Sequence, residues 1–244
     1  MINTHVDTHK VAQNFAKAHA TYGKAAIVQH QMCQTLIDLL SLHLPNISPK
    51  SVLEIGCGIG NLTNIYTSIW EIEQLYLNDL YNVGIDGADL LIGDIESLDL
   101  PKVDLVLSSS ALQWIKDLSS LIQRVFQSLT TGGVLAFASF GKQNLSQVKT
   151  LTGIGLDYHS MDDILTMLKT AGFDVISTHQ HQEVLYFSCP KDILKHIKDT
   201  GVAVGGQVWT RSSLNAFYDN YEKFATDKGY PLSYDTLFII AIKP

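Results

Sequence analysis

The sequence predicts an α/β fold built on a doubly wound sheet of seven strands that is mostly parallel. Strand-like and helix-like segments alternate between residues 51 and 140, which is the order expected of parallel strands joined by helices. A glycine-rich loop at residues 56–60 joins the first strand to the next helix. Consecutive extended segments in the last hundred residues predict an antiparallel C-terminal strand near one edge of the sheet.

The individual elements follow from apolar periodicity and turn signals. The predicted strands are short apolar runs, and they cover residues 51–56, 73–80, 89–95, 103–110, 134–140, 174–187 and 234–244. The predicted helices repeat apolar residues at three- and four-residue steps, and they cover residues 8–22, 25–44, 61–69, 118–129, 160–173, 189–201 and 210–229. Ser160 and Asp163 are spaced as a helix N-cap pair, and "TTGG" at 130–133 is typical of a helix C-cap.

The composition favours a single globular domain over residues 1–244. Apolar residues make up 46% of the chain, enough for a buried core, and charged residues only 17%, which argues against disorder. N-terminal helices at 8–44 precede the sheet. A segment at about 184–212 lies between the last two predicted strands, and we expect it to form a cap.

Charge, cysteine and histidine usage limit the classes of function. The net charge of −7 and the absence of a basic run argue against a nucleic-acid partner. Three widely spaced cysteines indicate free thiols in a reducing compartment. No hydrophobic signal segment and no run long enough to span a bilayer are evident, so we expect a cytoplasmic protein without a membrane partner. His179 and His181 lack further ligands in the sequence, and no metal site is predicted.

The run "VLEIGCGIGN" points to a ligand at the end of the first strand. Gly56, Gly58 and Gly60 permit positive φ angles and a close approach of a ligand to the backbone. The dinucleotide fingerprint would place glycine at position 61, where Asn61 stands. Glu54 lies two residues before the loop, and its carboxylate disfavours a pyrophosphate and favours a cationic ligand.

Acidic residues also end the second and third predicted strands. Asp79 closes "YLNDL" about 20 residues after the loop, the position at which an acid binds ribose hydroxyls. Asp94 follows the third strand in "IGDIE", where it can accept a hydrogen bond from an adenine amino group. Carboxylates at three successive strand ends fit a nucleoside that carries positive charge instead of phosphate, as S-adenosylmethionine does. The simpler alternative is a tight strand–helix turn with surface acids.

These motifs resemble those of the class I methyltransferases, enzymes with a Rossmann-like fold that use S-adenosylmethionine. The likeness lies in the hydrophobic-Glu-x-Gly-x-Gly-x-Gly motif, the acid that ends strand two and "GDI" after strand three, and it covers residues 50–140. It implies that "LSSS" at 107–110 lines the cofactor and that S-adenosylhomocysteine is the product. The residues expected at the cofactor are Tyr22, Gln29, Glu54, Gly56, Cys57, Gly58, Asn61, Asp79, Leu80, Asp94, Ile95 and Ser109.

The flanks resemble one family within this class, the malonyl-acyl-carrier-protein O-methyltransferases of biotin synthesis. The shared features are "AHATYGKAAIVQ", "ALQW" after strand four, "FSCPKDILKHIKDTG" and the ending "PLSYDTLFIIAIK". Each motif is short, and their common order along almost the whole chain carries the resemblance. The chain departs from the family at "GVAVGG", where a GVNA-like turn is usual, and in the short segment 81–87.

The resemblance implies methyl esterification of the free carboxylate of a malonyl thioester, carried by acyl carrier protein or coenzyme A. Such a carboxylate is already ionised at pH 7, so no general base is required. Arg211, Tyr22 and Trp114 are the candidates to hold or cover it. Tyr22 and Gln29 lie seven apart and would share a helix face over the methionine end of the cofactor. Arg124 is interpreted as a surface residue.

A basic stripe is the predicted dock for the acidic carrier protein. Lys191, Lys195 and Lys198 are spaced i, i+4, i+7 and would share one helix face. Two other functions stay open: methylation of another small carboxylic acid or quinone precursor, and a non-catalytic cofactor-binding interaction module. An NAD-dependent reductase fits less well because position 61 is not glycine.

Overall fold

Seven strands form one sheet in the order β3-β2-β1-β4-β5-β7-β6. The computed structural model describes residues 25–82, 84–201 and 209–244. Its strands are β1 Ser51–Ile55, β2 Gln74–Asp79, β3 Asp89–Ile92, β4 Val103–Ser109, β5 Leu129–Phe140, β6 Asp174–Phe187 and β7 Tyr230–Ile242.

Strand pairing confirms the predicted mixed sheet. β1 pairs in parallel with β2 and β4, β2 with β3, and β4 with β5. β7 runs antiparallel to β5, because Lys243 bonds the backbone of Gly132 and Gly133 while Gly141 N donates to Asp235 O. The prediction of a mostly parallel seven-stranded α/β sheet with an antiparallel C-terminal strand is therefore confirmed.

Helices connect the parallel strands and continue after them. They are α1 Ile27–His43, α2 Asn61–Thr67, α3 Leu118–Ser128, α4 Ser146–Thr152, α5 Met161–Ala171, α6 Pro190–Asp199 and α7 Arg211–Tyr221. The predicted N-cap of α5 is present, since Ser160 Oγ accepts from Asp163 N and Asp163 Oδ2 accepts from Ser160 N. The helix predicted at 8–22 lies outside the described residues. No helix in the described part of the chain is long and apolar enough to cross a membrane.

A hydrophobic core cluster fixes α3 against the sheet. Leu118, Leu121, Ile122 and Val125 are buried at the i, i+3, i+4, i+7 positions of an amphipathic helix. They pack with apolar side chains of β1, β4, β5 and α5. This packing holds the carboxyl ends of β1 and β4 side by side, and in an open α/β sheet such a point between neighbouring strands is where ligands bind.

Two compact units divide the chain. The sheet unit contains Gln29–Ser139, His159–Gln180 and Leu237–Pro244. Of the described residues, the other unit contains 25–28, Phe140–Tyr158, 181–201 and 209–236. The described residues of the segment predicted as a cap, 184–201 and 209–212, belong to this second unit, and residues 202–208 lie outside the described part. The single domain and the cap stay predictions.

Three local predictions were wrong. "TTGG" does not cap a helix, because Leu129 is already extended and begins β5, whose pairing with β4 shifts register between Val103 and Leu105. The short helix α4 was missed, since its seven residues "SQVKTLT" bury none of their side chains and leave no apolar stripe to detect. The helix predicted at 210–229 is shorter, because after Tyr221 it tightens into a single 3₁₀ turn and ends.

Candidate cofactor site

The glycine loop turns the chain sharply from β1 into α2. Gly56, Gly58 and Gly60 all have positive φ, at 72°, 54° and 83°. Gly56 N and Cys57 N both donate to Asn78 O of β2 at 2.9 Å, which ties the loop to the neighbouring strand. Asn61 is the first residue of α2. The loop is therefore a rigid turn whose shape depends on glycine, as the sequence predicts.

The three glycines differ in the space around them. A side chain on Gly56 would overlap Ala111 Cβ, and one on Gly60 would lie 3.1 Å from Ile85 Cδ1. Around Gly58 no described atom lies within 4 Å of the position that a Cβ would take. Gly58 thus borders open space, where a ligand can approach the backbone.

Asp79 is held by the glycine loop. Its Oδ2 accepts from Gly58 N at 2.8 Å and its Oδ1 from Leu80 N at 2.7 Å. Burial raises the pKa of this carboxyl above its ordinary value, and the backbone donors act in the opposite direction. Because two N–H groups fix the carboxylate, it is oriented at the end of β2 without needing a ligand.

Glu54 lies beneath the loop and bonds to α2. Its carboxyl is buried, and Oε2 accepts from Thr63 Oγ1 at 2.6 Å and from Tyr66 Oη at 2.7 Å. Burial raises the pKa of Glu54 to about 7, and the nearby charge of Asp79 adds to the effect. Thr63 and Tyr66 were not identified from sequence, because their hydroxyls sit on a helix face that otherwise resembles ordinary core.

Asp94 and Ile95 follow β3 in a loop with several anchors. Asp94 is half-buried, its Oδ1 accepts from Glu96 N at 3.0 Å, and Ile95 is buried. Asn78 donates to Leu91 O and Gly93 O at 2.8 and 3.0 Å, so β2 holds the start of this loop. Asn78 was missed, although its place beside Asp79 was a usable signal.

Arg124 also anchors this loop, so its interpretation as a surface residue was wrong. It is half-buried, and its guanidinium donates to Ile95 O and Glu96 O at 2.9 Å each and to Leu98 O. The sequence does not predict this role, because Arg124 lies on the polar flank of an amphipathic helix and backbone carbonyl partners cannot be identified from residue types.

The end of β4 carries a strained residue. Ser109 is the last residue of β4, and Ser110 has a φ of 58°, which is uncommon outside glycine. Ser110 N donates to Ala138 O, and Gln113 Nε2 donates to Ser110 O at 2.6 Å. Such strain occurs most often at functional sites. Trp114 follows, half-buried, at the end of a 3₁₀ turn.

Two buried polar atoms lie among the residues expected at the cofactor. Gln29 is buried in α1, and no described residue bonds its Oε1. Ser109 Oγ is also buried and makes no hydrogen bond of normal geometry to a described residue, although it lies beside the Cys33 thiol. Buried polar groups are normally hydrogen-bonded. Together with the open space at Gly58, these atoms fit a bound S-adenosyl nucleoside.

The remaining candidates are placed as follows. Cys57 is buried, and burial raises its thiol pKa, so it is a poor nucleophile. No group of three metal-ligating side chains occurs within the described ranges. Tyr22 lies outside them. Arg211 is the exposed first residue of α7 in the second unit. Three exposed lysines lie on α6: Lys191, Lys195 and Lys198.

Comparisons with known proteins identify the class. A methyltransferase domain family matches residues 27–178. A crystal structure of a candidate methyltransferase from Bacillus halodurans superposes with a TM-score of 0.62, at 17% identity over 86% of this chain and 98% of that one. The N-methyltransferase NodS from Bradyrhizobium japonicum, solved with S-adenosyl-L-homocysteine, gives 0.51 at 16% identity over 86% of each chain. The fold and the site define an S-adenosylmethionine-dependent methyltransferase.

A curated relative narrows this class to a family. The malonyl-[acyl-carrier protein] O-methyltransferase of Acinetobacter baylyi is 39% identical over 243 residues, covering 95% of each chain. The chain belongs to the malonyl-[acyl-carrier protein] O-methyltransferase family. The resemblance found in the flanks of the sequence is thereby confirmed.

Proposed function

We propose that the protein transfers a methyl group from S-adenosylmethionine to the free carboxylate of a malonyl group on acyl carrier protein, at the start of pimeloyl synthesis for biotin. The observation that carries the proposal is full-length membership of a family whose curated relatives bear that activity in their names. The acidic strand ends and the buried Gln29 Oε1, which no described residue bonds, support a cofactor site of this kind.

The cofactor is assigned to the carboxyl ends of β1 to β4. Gly58 admits the nucleoside against the backbone, and Asp79 binds the ribose hydroxyls, since its orientation is already fixed by two N–H groups. Asp94 and Ile95 bind the adenine. Gln29 Oε1 is a free acceptor for the ammonium at the methionine end. The remaining residues assigned to line the cofactor are Cys57, Asn61, Leu80 and Ser109. Glu54 is assigned an indirect role, because it bonds to α2 beneath the glycine loop.

The reaction requires alignment of the carboxylate oxygen with the methyl carbon and exclusion of water, and it requires no general base. A malonyl carboxylate with a pKa of about 3 to 4 is ionised at neutral pH. Transfer joins an anionic oxygen to a methyl carbon that leaves a cationic sulfur, so opposite charges disappear together. A site with little water favours such a step. Trp114, with Tyr22 ahead of the described residues, is assigned to excluding water from the reacting groups.

Arg211 is the proposed partner of the substrate carboxylate. It is exposed at the first position of α7, directly after the N-cap Thr210, which accepts from Ser213 N. A guanidinium binds a carboxylate with two parallel hydrogen bonds. Its helix N-terminus adds a favourable dipole for an anion.

The carrier protein is assigned to the exposed face of α6. Lys191, Lys195 and Lys198 are all exposed, while Ile193 on the opposite face is completely buried. Lys195 has an ion pair of 3.4 Å with Asp199. The carboxylate of Asp192 accepts from Ser188 and Cys189 at the start of the helix, so two acidic residues, Asp192 and Asp199, neighbour the three lysines. An acidic carrier protein complements the lysines.

Methyl-labelled S-adenosylmethionine tests the assignment directly. The protein is incubated with malonyl-carrier protein, malonyl-coenzyme A or free malonate, and a base-labile methyl ester is measured. We expect label on the carrier-bound malonyl group above all. Asp79→Ala should abolish the label, while Asp86→Ala, a matched change of an exposed acid nearby, should not. No ester on any of the three acceptors would refute the proposed substrate.

A further inference from the structure

Arg124 of α3 forms hydrogen bonds with the loop that follows β3, residues 95–98. Arg124 donates through Nη1 to Ile95 O and to Glu96 O, both at 2.9 Å, and through Nη2 to Leu98 O. Three carbonyl groups within four residues therefore point at one guanidinium. Carbonyls of successive loop residues do not converge in this way unless a donor holds them, so Arg124 sets the path of the backbone here.

The side chain of Glu96 connects the same loop to the segment that precedes α3. Its carboxylate accepts from Lys116 N at 3.1 Å and from Asp117 N at 2.9 Å. Asp117 in turn caps α3, since its Oδ1 accepts from Ser120 N. The loop, the segment after Trp114 and the start of α3 thus form one hydrogen-bonded ring, and Arg124 lies on the same helix two turns further on.

Two residues of this loop, the half-buried Asp94 and the buried Ile95, are those assigned to the cofactor. Asp94 and Ile95 are adjacent to the carbonyls that Arg124 holds, and Asp94 is also bonded to Glu96 N. An ordered loop binds a ligand more tightly than a mobile one, because the entropy of ordering is lost on folding and not on binding. Guanidinium donors suit this task, since a single planar group offers five N–H bonds.

We propose that Arg124 is a positioning residue for cofactor binding: it fixes the loop of Asp94 and Ile95 in the conformation that receives the adenine. The proposal rests on the assignment of this loop to the cofactor under the proposed function. Arg124 touches neither cofactor nor substrate, and it acts through backbone carbonyls alone.

The variants Arg124→Ala and Arg124→Lys test the proposal by calorimetric titration with S-adenosylmethionine and S-adenosylhomocysteine. We expect Arg124→Ala to weaken both affinities about tenfold, the equivalent of roughly 1.4 kcal/mol. Millimolar guanidinium should restore part of the loss when compared with sodium at equal ionic strength. In steady-state kinetics the KM for S-adenosylmethionine should rise, while kcat and the KM for the malonyl substrate stay unchanged.

Lys243→Ala is the matched control for a general loss of stability. Lys243 Nζ donates to Phe126 O and Leu129 O at 2.8 Å each, so it also anchors the α3 region through carbonyls but does not reach the loop. We expect it to lower the melting temperature without changing cofactor affinity. Wild-type affinity in Arg124→Ala, or an equal loss in Lys243→Ala, would overturn the proposal.

Two further variants allow a decision if Arg124→Ala does not fold or if the loop does not bind the cofactor. If Arg124→Ala fails to fold, Arg124→Lys decides, because the single nitrogen of an ammonium cannot reproduce the planar fork by which Nη1 and Nη2 reach the three carbonyls, and a weakened affinity is still expected. Wild-type affinity in a folded Arg124→Lys would then count against the proposal. Asp94→Ala separates the two levels of inference. If it binds the cofactor normally, the loop is not part of the cofactor site, and the roles of both Asp94 and Arg124 are refuted.

Discussion

The buried carboxyl of Glu54 should make the stability of the cofactor-free protein depend on pH. The perturbation is Glu54→Gln, which keeps the shape of the side chain and an oxygen that accepts from Thr63 and Tyr66. It removes only the ionisation. A wild-type carboxyl with this burial must either keep its proton or hold a charge away from water, and the second state is unfavourable.

The magnitude follows from the raised pKa. The native value is about 7 against an ordinary value of 4.5. Each unit corresponds to about 1.4 kcal/mol, so the full effect is about 3 kcal/mol. Between these two pH values the native protein holds a proton that the unfolded chain has released, so the free energy of unfolding falls as pH rises. The stabilising contribution is complete below pH 4.5 and is lost by the time pH passes 7.

Urea unfolding at pH 5, 6, 7 and 8 measures this effect. We expect Glu54→Gln to differ least from the wild type at pH 5 and to become the more stable protein as pH rises, by up to about 3 kcal/mol at pH 8. Burial lowers the pKa of His196, which gives a slope of opposite sign, but this contribution cancels in the difference between the two proteins. Glu73→Gln, at an exposed carboxyl paired with Lys50, is the control and should show no such difference. Parallel curves for wild type and Glu54→Gln would refute the reasoning.

Further predictions concern the loop, the substrate anion and the dock. Gly56→Ala should destabilise the fold by more than about 2 kcal/mol in urea unfolding, since its methyl group meets Ala111. Gly58→Ala should cost only about 1 kcal/mol in backbone strain, but it should weaken cofactor binding in calorimetric titration. Arg211→Ala should raise the KM for the malonyl substrate about tenfold with unchanged cofactor affinity, and an unaltered KM would exclude it. Charge reversal at Lys191 and Lys195 should reduce turnover of the carrier-bound substrate on the order of tenfold at low salt and spare malonyl-coenzyme A, and an equal loss on both acceptors would contradict docking.

The sequence predicts the parts of the site that depend on the backbone. Positions 56, 58 and 60 require glycine because all three have positive φ, so the spacing of these glycines identifies the turn from residue types alone. The position of Asp79 at the end of a strand is predictable for a related reason: parallel strands place their carboxyl ends together, and alternation of strands and helices is visible in the sequence. All seven strands followed from these patterns, although β5 and β7 begin several residues earlier than predicted.

The polar contacts that hold the site could not be predicted. Arg124 and Asn78 bond to backbone carbonyls, and a carbonyl is present at every residue, so no pair of residue types reveals the contact. Glu54 shows a related difficulty. Its place before the loop suggested a ligand contact, yet Oε2 is occupied by two hydroxyls of α2 whose approach depends on helix packing. Spacing identifies which residues are special but does not distinguish those that bind from those that support.

Supporting carboxylates at this site have a physical consequence for the reaction. Burial is the main cause that raises the pKa of Glu54, and the charge of Asp79 adds to it, so we expect negative potential where these two carboxyl groups lie. A sulfonium cofactor relieves that potential, whereas its thioether product does not, because transfer removes the positive charge from sulfur. We therefore expect these carboxylates to favour the positively charged cofactor over its product, whose sulfur is neutral. An acidic chain of net charge −7 is thus consistent with an anionic substrate, provided that the substrate is bound by a separate cation, the role proposed for Arg211.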